Sequence, residues 1–249
     1  MKELFSLAMD IGEQMLICGA EVSRAEESIM RMCKAFGARR IDVFVITSHM
    51  QATFYTDEES YTQSRRIRAG GTDFEKLHQL NELSRKICEK NPTEEEIRRD
   101  LNSAMTANTY PFWLECLCYA AIAGAFTLFF GGGIIEALIS LIIGAVVRIA
   151  MLFSDKYITN KIFAKFYSSV VATALAFISF RIGLVAGVDK IIIGNIMTLI
   201  PGVGLTNALR DLFIGDSIAG LLRSIEAALI ALAIAAGYFT VAFLGGAAL

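Results

Sequence analysis

The chain has 249 residues, 55% of them hydrophobic, and a formal net charge of −2 at pH 7. This composition argues against nucleic acid as a partner, because neutralising phosphates requires an excess of lysine and arginine. Of the 23 basic and 25 acidic residues, 33 lie in residues 1–110 and 15 in residues 111–249. The asymmetry predicts a soluble-type domain at 1–110 and a transmembrane domain at 111–249.

Residues 1–110 combine helical and strand-like patterns. Two amphipathic helices are predicted up to about Phe36, and two β-rich segments on either side of Ser48-His49 indicate a hairpin. The segment YTQSRRIRAG is a candidate third strand, and two further amphipathic helices begin after Asp73 and Pro92. The N-terminal sequence MKELFSLAMDIGEQ lacks the continuous apolar stretch of a secretory signal, so this small α+β domain is expected in the cytoplasm.

The remainder of the chain is predicted to be an α-helical multi-pass membrane domain with about five transmembrane helices, since a span needs roughly 20 apolar residues. Basic residues are more frequent on the side assigned to the cytoplasm, and an odd number of spans places the two termini on opposite sides. The predicted spans are about 111–130, 134–153, 162–181, 188–209 (broken near Pro201) and 218–244.

The fourth predicted span is interrupted at Pro201-Gly202, and Gly204 follows closely. Such a break leaves backbone groups that lipid cannot satisfy, so it persists where protein or a water-filled cavity surrounds it. Broken helices of this kind bind ions and anionic substrates in transporters. We therefore predict a substrate-binding site here; a simple kink, with the following Arg-Asp pair marking the membrane edge, is the alternative. The predicted binding residues are Thr198, Pro201, Gly202, Gly204, Asn207 and Arg210.

Carboxylates near or within the apolar segments are candidates for carrying a proton, since a charge inside a bilayer usually faces a cavity or a partner. The candidates are Asp211, Glu226 and Glu136, and Asp216 is predicted at the cytoplasmic mouth. A structural ion pair between Glu226 and Arg223 is an equally open alternative for Glu226. Glu115 and Glu136 fit an interfacial position better than a central one.

Several chemistries find no support in the sequence. His49 and His78 lack ligand neighbours at metal-binding spacing, and the five cysteines fit neither a zinc site nor a disulfide framework. No nucleophile elbow, Walker motif or dinucleotide fingerprint is present. We therefore expect a protein without enzymatic activity, bound metal or cofactor, and not an ATP-driven pump.

Two stretches, CGAEVSRAEESIMRMCKAFG followed by DVFVITS, and MTLIPGVGLTNALRDLFIGDSIAG, closely resemble the threonine/serine exporter family, in particular its shorter YjjP-like members. The segment RIRAGGTDFEKLHQLNELSRKI is similar to the cytoplasmic domain of that family. Ser23 and Ala25 depart mildly from its N-terminal motif. The positions that match the C-terminal motif are Pro201, Gly202, Asn207, Arg210, Asp211, Gly215 and Asp216.

The resemblance implies an exporter in the bacterial inner membrane for small amino acids, such as threonine and serine, or for dicarboxylates such as succinate. It also implies the larger subunit of a split, oligomeric exporter, with a smaller YjjB-like transmembrane partner. The competing hypothesis is a membrane-anchored ligand sensor or assembly protein without transport activity. A broken, polar helix favours the exporter, because a simple anchor has no use for it.

Overall fold

The computed structural model describes residues 1–68, 70–106, 110–158 and 160–245. The fold is mostly helical and includes one small sheet, which confirms the predicted class of an α-helical membrane protein with a small N-terminal α+β region. The elements in chain order are α1 (Lys2–Ile17), α2 (Val22–Ala35), β1 (Arg40–Ile46), β2 (His49–Tyr55), β3 (Ser60–Arg66), α3 (Phe74–Lys90), α4 (Glu94–Met105), α5 (Phe112–Phe129), α6 (Ile134–Tyr157), α7 (Lys161–Arg181), α8 (Asp189–Ile196), α9 (Gly202–Ile214) and α10 (Ser217–Leu244).

The chain divides into two compact units. The first unit comprises Met1–Asn108 and Val203–Ile225, and the second comprises Thr109–Gly202 and Glu226–Leu249. The predicted boundary between residues 110 and 111 stays a prediction. The structure adds that most of α9 and the first residues of α10 belong to the same unit as the N-terminal region.

The first unit has a continuous apolar core beneath an antiparallel sheet of order β1-β2-β3. Ile46 pairs with His49, so two residues connect β1 to β2, as in the predicted hairpin. The rings of Phe5 and Phe54 lie 5.5 Å apart, centroid to centroid, and join α1 to β2. Ala219 of α10 is buried in this same core, which shows that α10 begins as part of the first unit.

Within the described residues, four helices, α5, α6, α7 and α10, are long and apolar enough to cross a membrane. Five spans were predicted. In place of the predicted fourth span the chain has α8, of 8 residues, and α9, of 13 residues, each shorter than the roughly 20 residues that a span requires. The chain leaves the helical conformation before Pro201, which lacks an N–H group and restricts the preceding residue. Opposite locations for the termini depend on that fourth span and stay a prediction.

In the second unit, small residues allow close packing of helices. A Cβ atom on Gly144 would lie 2.7 Å from the carbonyl oxygen of Tyr119, and one on Gly194 would lie 2.2 Å from the hydroxyl of Thr127. These glycines bring α6 and α8 against α5 at backbone distance. The short helix α8 is thus held within the second unit, immediately before the break.

Candidate functional site

The predicted helix break is present as a non-helical segment, residues 197–201, between α8 and α9. The half-buried Thr198 folds back on the preceding turn, where its backbone N–H lies 3.2 Å and its hydroxyl 2.7 Å from the carbonyl oxygen of Asn195. The N–H of Leu199 donates to the carbonyl of Ile196 at 2.8 Å. The break is therefore an ordered turn in which part of the freed backbone is satisfied locally. Substrate binding at this turn stays a prediction.

The two polar side chains predicted to bind substrate on α9 contact the connection between α1 and α2. The Nδ2 of Asn207 donates to the carbonyl oxygen of Gly19 at 3.2 Å. A guanidinium nitrogen of Arg210 lies 2.8 Å from a carboxylate oxygen of Glu21. Gly204 lies on the same helix and is exposed. Asn207 and Arg210 thus fasten α9 within the first unit.

Asp211 is the most deeply buried carboxylate among the described residues, with no exposed surface. Its Oδ2 lies 3.3 Å from the guanidinium of Arg223 on α10, and neither of its oxygens makes a well-formed hydrogen bond to another described residue. Arg223 also donates to the carbonyl of Ala20 at 2.8 Å. These contacts form one cluster, the α9–α10 hairpin network, which comprises Gly19, Ala20, Glu21, Asn207, Arg210, Asp211 and Arg223.

Burial raises the pKa of Asp211; the Arg223 guanidinium opposes that shift, and the nearby Asp216 carboxylate adds to it. Burial likewise raises the pKa of Glu26, whose carboxylate accepts a hydrogen bond from the N–H of Val45 at 2.8 Å. The Asp216 carboxylate also raises the pKa of Glu26. The negative charge of Asp216 therefore raises the pKa values of two carboxyls, Asp211 and Glu26.

The turn between α9 and α10 depends on two glycines. Gly215 has a φ of +107°, a conformation that side-chain-bearing residues rarely adopt. Its N–H lies 3.2 Å from the carbonyl of Asp211. A Cβ on Gly220 would lie 2.8 Å from the carbonyl of Ala208, so α9 and α10 pack closely. Half-buried Asp216 accepts the N–H of Gly220 at 2.9 Å, which makes its backbone part of the start of α10.

The other predicted carboxylates have distinct surroundings. Glu136 caps α6, because its carboxylate accepts the N–H of Gly133. Glu115 forms an ion pair with the largely buried Arg148, within the second unit. Glu226 is exposed. In place of the open alternative of a pair between Glu226 and Arg223, Arg223 pairs with Asp211 on the preceding helix, α9.

One polar cluster escaped the sequence analysis. Asn195 of α8 is fully buried, and its Nδ2 donates to the carbonyl of Ile191 at 2.9 Å and lies 3.3 Å from the hydroxyl of Ser140. Its Oδ1 has no hydrogen-bond partner in the part of the chain that the structure describes. The hydroxyls of Ser140 and Thr127 lie 2.6 Å apart. A lone asparagine in the apolar run KIIIGNIM was the available signal. This cluster lies next to the turn and joins the candidate site.

Within the described residues, no group of three or more histidine, cysteine, aspartate or glutamate side chains is arranged to hold a metal ion. The candidate residues form two separate clusters, and each cluster is described within its own unit. One part is the turn at 197–201 with the Asn195 cluster, and the other is the α9–α10 hairpin network.

Comparison with known proteins places this chain in a family. The family profile described as "Putative threonine/serine exporter" matches residues 6–245. A Mycobacterium tuberculosis (strain ATCC 25618 / H37Rv) protein named "Probable threonine/serine exporter" is 21% identical over 227 residues, which cover 89% of this chain and 42% of that protein. This chain thus spans less than half the length of that relative. No solved structure matches this chain. Because the profile covers nearly the whole sequence, the chain belongs to the threonine/serine exporter family.

Proposed function

We propose that this chain is one subunit of a secondary-active exporter in the bacterial cytoplasmic membrane. Its substrate is a small amino acid of the threonine and serine type, or a dicarboxylate such as succinate. Family membership supports the exporter class. The ordered break between α8 and α9, in an otherwise apolar part of the chain, supports the location of the substrate site. A simple membrane anchor would gain nothing from interrupting a helix at the cost of its backbone hydrogen bonds.

The substrate binds at the turn, with Thr198, Pro201, Gly202 and Gly204 nearest to it. The turn leads directly into the N-terminus of α9, and the positive end of the helix dipole there attracts a carboxylate. Further polar contacts beside this turn come from the hydroxyl of Thr198 and from the Oδ1 of Asn195, which has no partner among the described residues.

Asn207 and Arg210 act at the cytoplasmic mouth of the route. Arg210 is six residues beyond Gly204, which is about 9 Å along a helix, further than a small amino acid reaches. Arg210 is also paired with Glu21 rather than free for a substrate carboxylate. Together with Asp216, these two residues stabilise the structure of the cytoplasmic mouth. They contact the substrate only transiently, as it moves through.

Asp211 is the leading candidate for coupling to protons. It is fully buried, its pKa is raised by that burial, and its ion-pair partner Arg223 also binds the carbonyl of Ala20. Gaining a proton would release Arg223 from its charged partner and loosen the hairpin network. Exposed Glu226 and the helix-capping Glu136 are weaker candidates, because neither combines burial with a switchable pair.

A transmembrane partner of the YjjB-like type completes the exporter, and the assembly is oligomeric. The chain spans 42% of its Mycobacterium tuberculosis relative, so it accounts for less than half of that protein's length. In the described part of this chain, four helices have the length and hydropathy of a span. A second subunit would supply the remaining helices.

Efflux from loaded cells tests the proposal. Cells expressing the chain with its partner, the chain alone, or neither are loaded with threonine, serine or succinate, and the initial rate of release is measured. We expect faster release of at least one substrate when both subunits are present. Equal rates in all three strains, with both proteins detected in the membrane of the co-expressing strain, would contradict the proposal and favour the membrane-anchored sensor.

A further inference from the structure

A polar groove lies in the first unit between α2 and α3, with a cavity volume of about 520 Å³. This volume is within the range of small-molecule sites, roughly 300–1,000 Å³. Arg24, Ser28 and Arg31 line it from α2, at a spacing of four and then three residues that places them on one helix face. Asn81, Arg85 and Cys88 line it from α3 at the same spacing. The groove is therefore formed by two facing polar stripes.

One arginine in this groove, Arg24, uses only one of its guanidinium nitrogens in a hydrogen bond to another described residue. Arg24 makes one hydrogen bond within the described part of the chain, from Nε to the Oδ1 of Asn81 at 3.1 Å, and it has no carboxylate within 4 Å. The amide of Asn81 is held in this orientation because its Nδ2 donates to the carbonyl of Leu77 at 2.7 Å. The two terminal nitrogens of Arg24 thus remain available for a carboxylate, which arginine binds in a bidentate manner.

The other arginines of the groove already have carboxylate partners. Arg31 pairs with Glu27, Arg85 with Glu82 at 3.3 Å, and Arg210 with Glu21 at 2.8 Å. Arg24 therefore differs from its neighbours in having a neutral amide, and no carboxylate, as its partner. A ligand carboxylate would supply the missing counter-charge.

An ammonium group finds a partner one helical turn away from Arg24. Glu27 follows Arg24 by three residues, and its pair with Arg31 is solvent-exposed, with 57% and 69% of the two side chains accessible. An exposed ion pair of this kind contributes little to stability. The Glu27 carboxylate also keeps lone pairs that can accept a hydrogen bond from a second donor. Ser28 lies on the same turn and offers a hydroxyl. Arg24, Glu27 and Ser28 match the carboxylate, ammonium and hydroxyl of serine or threonine.

The charge balance of the groove separates a zwitterion from a dianion. Its lining contains four arginines and three glutamates: Arg24, Arg31, Arg85, Arg210, Glu21, Glu27 and Glu89. One ligand carboxylate neutralises the single excess arginine, so a second carboxylate would gain no net attraction from the lining, whereas an ammonium would pair with Glu27.

We propose that the groove between α2 and α3 is a binding site for a small zwitterionic amino acid, distinct from the turn at 197–201. Arg24 binds the carboxylate and Glu27 the ammonium. Arg210 and Ile214 of α9 also line this groove, so its occupancy is sensed by the helix that carries the hairpin network. The inference rests on the proposed function for the choice of threonine and serine as ligands. The geometry of the groove does not depend on the proposed function.

Hydrogen exchange measured by mass spectrometry on the full chain in detergent tests this site locally. L-threonine should slow exchange in peptides from α2 and α3, while threoninamide, which lacks the carboxylate, and succinate, which lacks the ammonium, should not. Arg24→Gln should weaken the apparent affinity about tenfold or more, as expected for losing a hydrogen bond to a charged group. The control Arg39→Gln removes an exposed arginine that pairs with Asp57 outside the groove and should behave like the wild type.

Threonine that leaves α2 and α3 exchange unchanged, or that protects them equally in the Arg24→Gln protein, would overturn the inference. Unchanged exchange in the remaining peptides of that variant verifies that it is folded. The readout is independent of efflux, because protection of α2 and α3 without transport would refute the proposed function alone. Transport without such protection would refute this site alone.

Discussion

Asp211 on α9 and Arg223 on α10 form an ion pair with 3.3 Å between the carboxylate and the guanidinium, and Asp211 has no exposed surface. The pair joins the two helices of the hairpin, while Arg223 also fastens them to the carbonyl of Ala20. Within the α9–α10 hairpin network, a change in the charge of this pair would directly affect the packing of α9 against α10.

Removing the two partners should have unequal effects. Arg223→Gln leaves the buried Asp211 carboxylate without its counter-charge, and breaking a buried pair in this way costs about 3–5 kcal/mol. Asp211→Asn replaces the carboxylate with a neutral amide, so it should lower the free energy of unfolding by less. Thermal unfolding of the detergent-solubilised proteins should therefore give a lower Tm for Arg223→Gln than for Asp211→Asn. Equal Tm values would show that the carboxylate is not destabilised by losing Arg223.

The raised pKa of Asp211 predicts a pH dependence of stability. A carboxyl whose pKa is higher in the folded than in the unfolded state binds a proton on folding, so its contribution is present at low pH. That contribution is lost as the pH rises from the ordinary carboxyl value of about 4 through the raised value. The Tm of the wild type should fall over this window.

Asp211→Asn should reduce this fall without abolishing it, because Glu26 also has a raised pKa. The measurement is Tm against pH for both proteins in the same detergent. Parallel curves would mean that Asp211 does not titrate differently on folding.

Two cysteines of the first unit should differ sharply in reactivity. Cys33 is fully buried, and burial raises the pKa of its thiol to about 12, so the nucleophilic thiolate is scarce and inaccessible. Cys88 is exposed at the α2–α3 groove. Under native conditions a maleimide should modify Cys88 and leave Cys33 intact, as determined by peptide mass spectrometry. Similar labelling of both thiols would contradict the packing of α2 against the core.

The turn between α9 and α10 should tolerate no side chain at its first residue. Gly215→Ala places a Cβ on a backbone with φ of +107° and should cost about 1–2 kcal/mol. Gly71→Ala is the matched control in the same unit, because its Cβ would meet no atom within 4 Å. Comparing the Tm values of the two variants tests the turn, and an equally stable Gly215→Ala would exclude the strained conformation.

Local patterns accounted for much of the fold. Alternation around Ser48-His49 predicted the hairpin, and Pro201 predicted the break, because both depend on residues adjacent in the chain. The attachment of α9 could not be read in this way, since Asn207 and Gly19 are 188 residues apart. A polar residue after an apolar run fits a membrane edge and a packed contact equally well.

The same reasoning explains the candidate site. Arg223 has an acidic neighbour in sequence, Glu226, and another in space, Asp211, and only the fold distinguishes them. Asn195 lay in an apolar run without a recognisable partner, because its neighbour Ser140 is on another helix. Sequence therefore predicted the position of the turn, while the contacts around it required the structure.

The central claim, that the substrate binds at the turn between α8 and α9, is tested most directly by Thr198→Val. This change removes the hydroxyl that lies 2.7 Å from the Asn195 carbonyl and keeps the size of the side chain. Thr240→Val is the matched control, because the exposed Thr240 hydroxyl makes the equivalent bond to the carbonyl of Ala236 at 2.8 Å on α10.

The measurement is the initial rate of threonine transport in proteoliposomes that contain the chain with its transmembrane partner, normalised to reconstituted protein. We predict that Thr198→Val lowers this rate about fivefold, as expected for one lost hydrogen bond, while Thr240→Val leaves it unchanged. Equal rates for Thr198→Val, Thr240→Val and the wild type would contradict substrate binding at this turn.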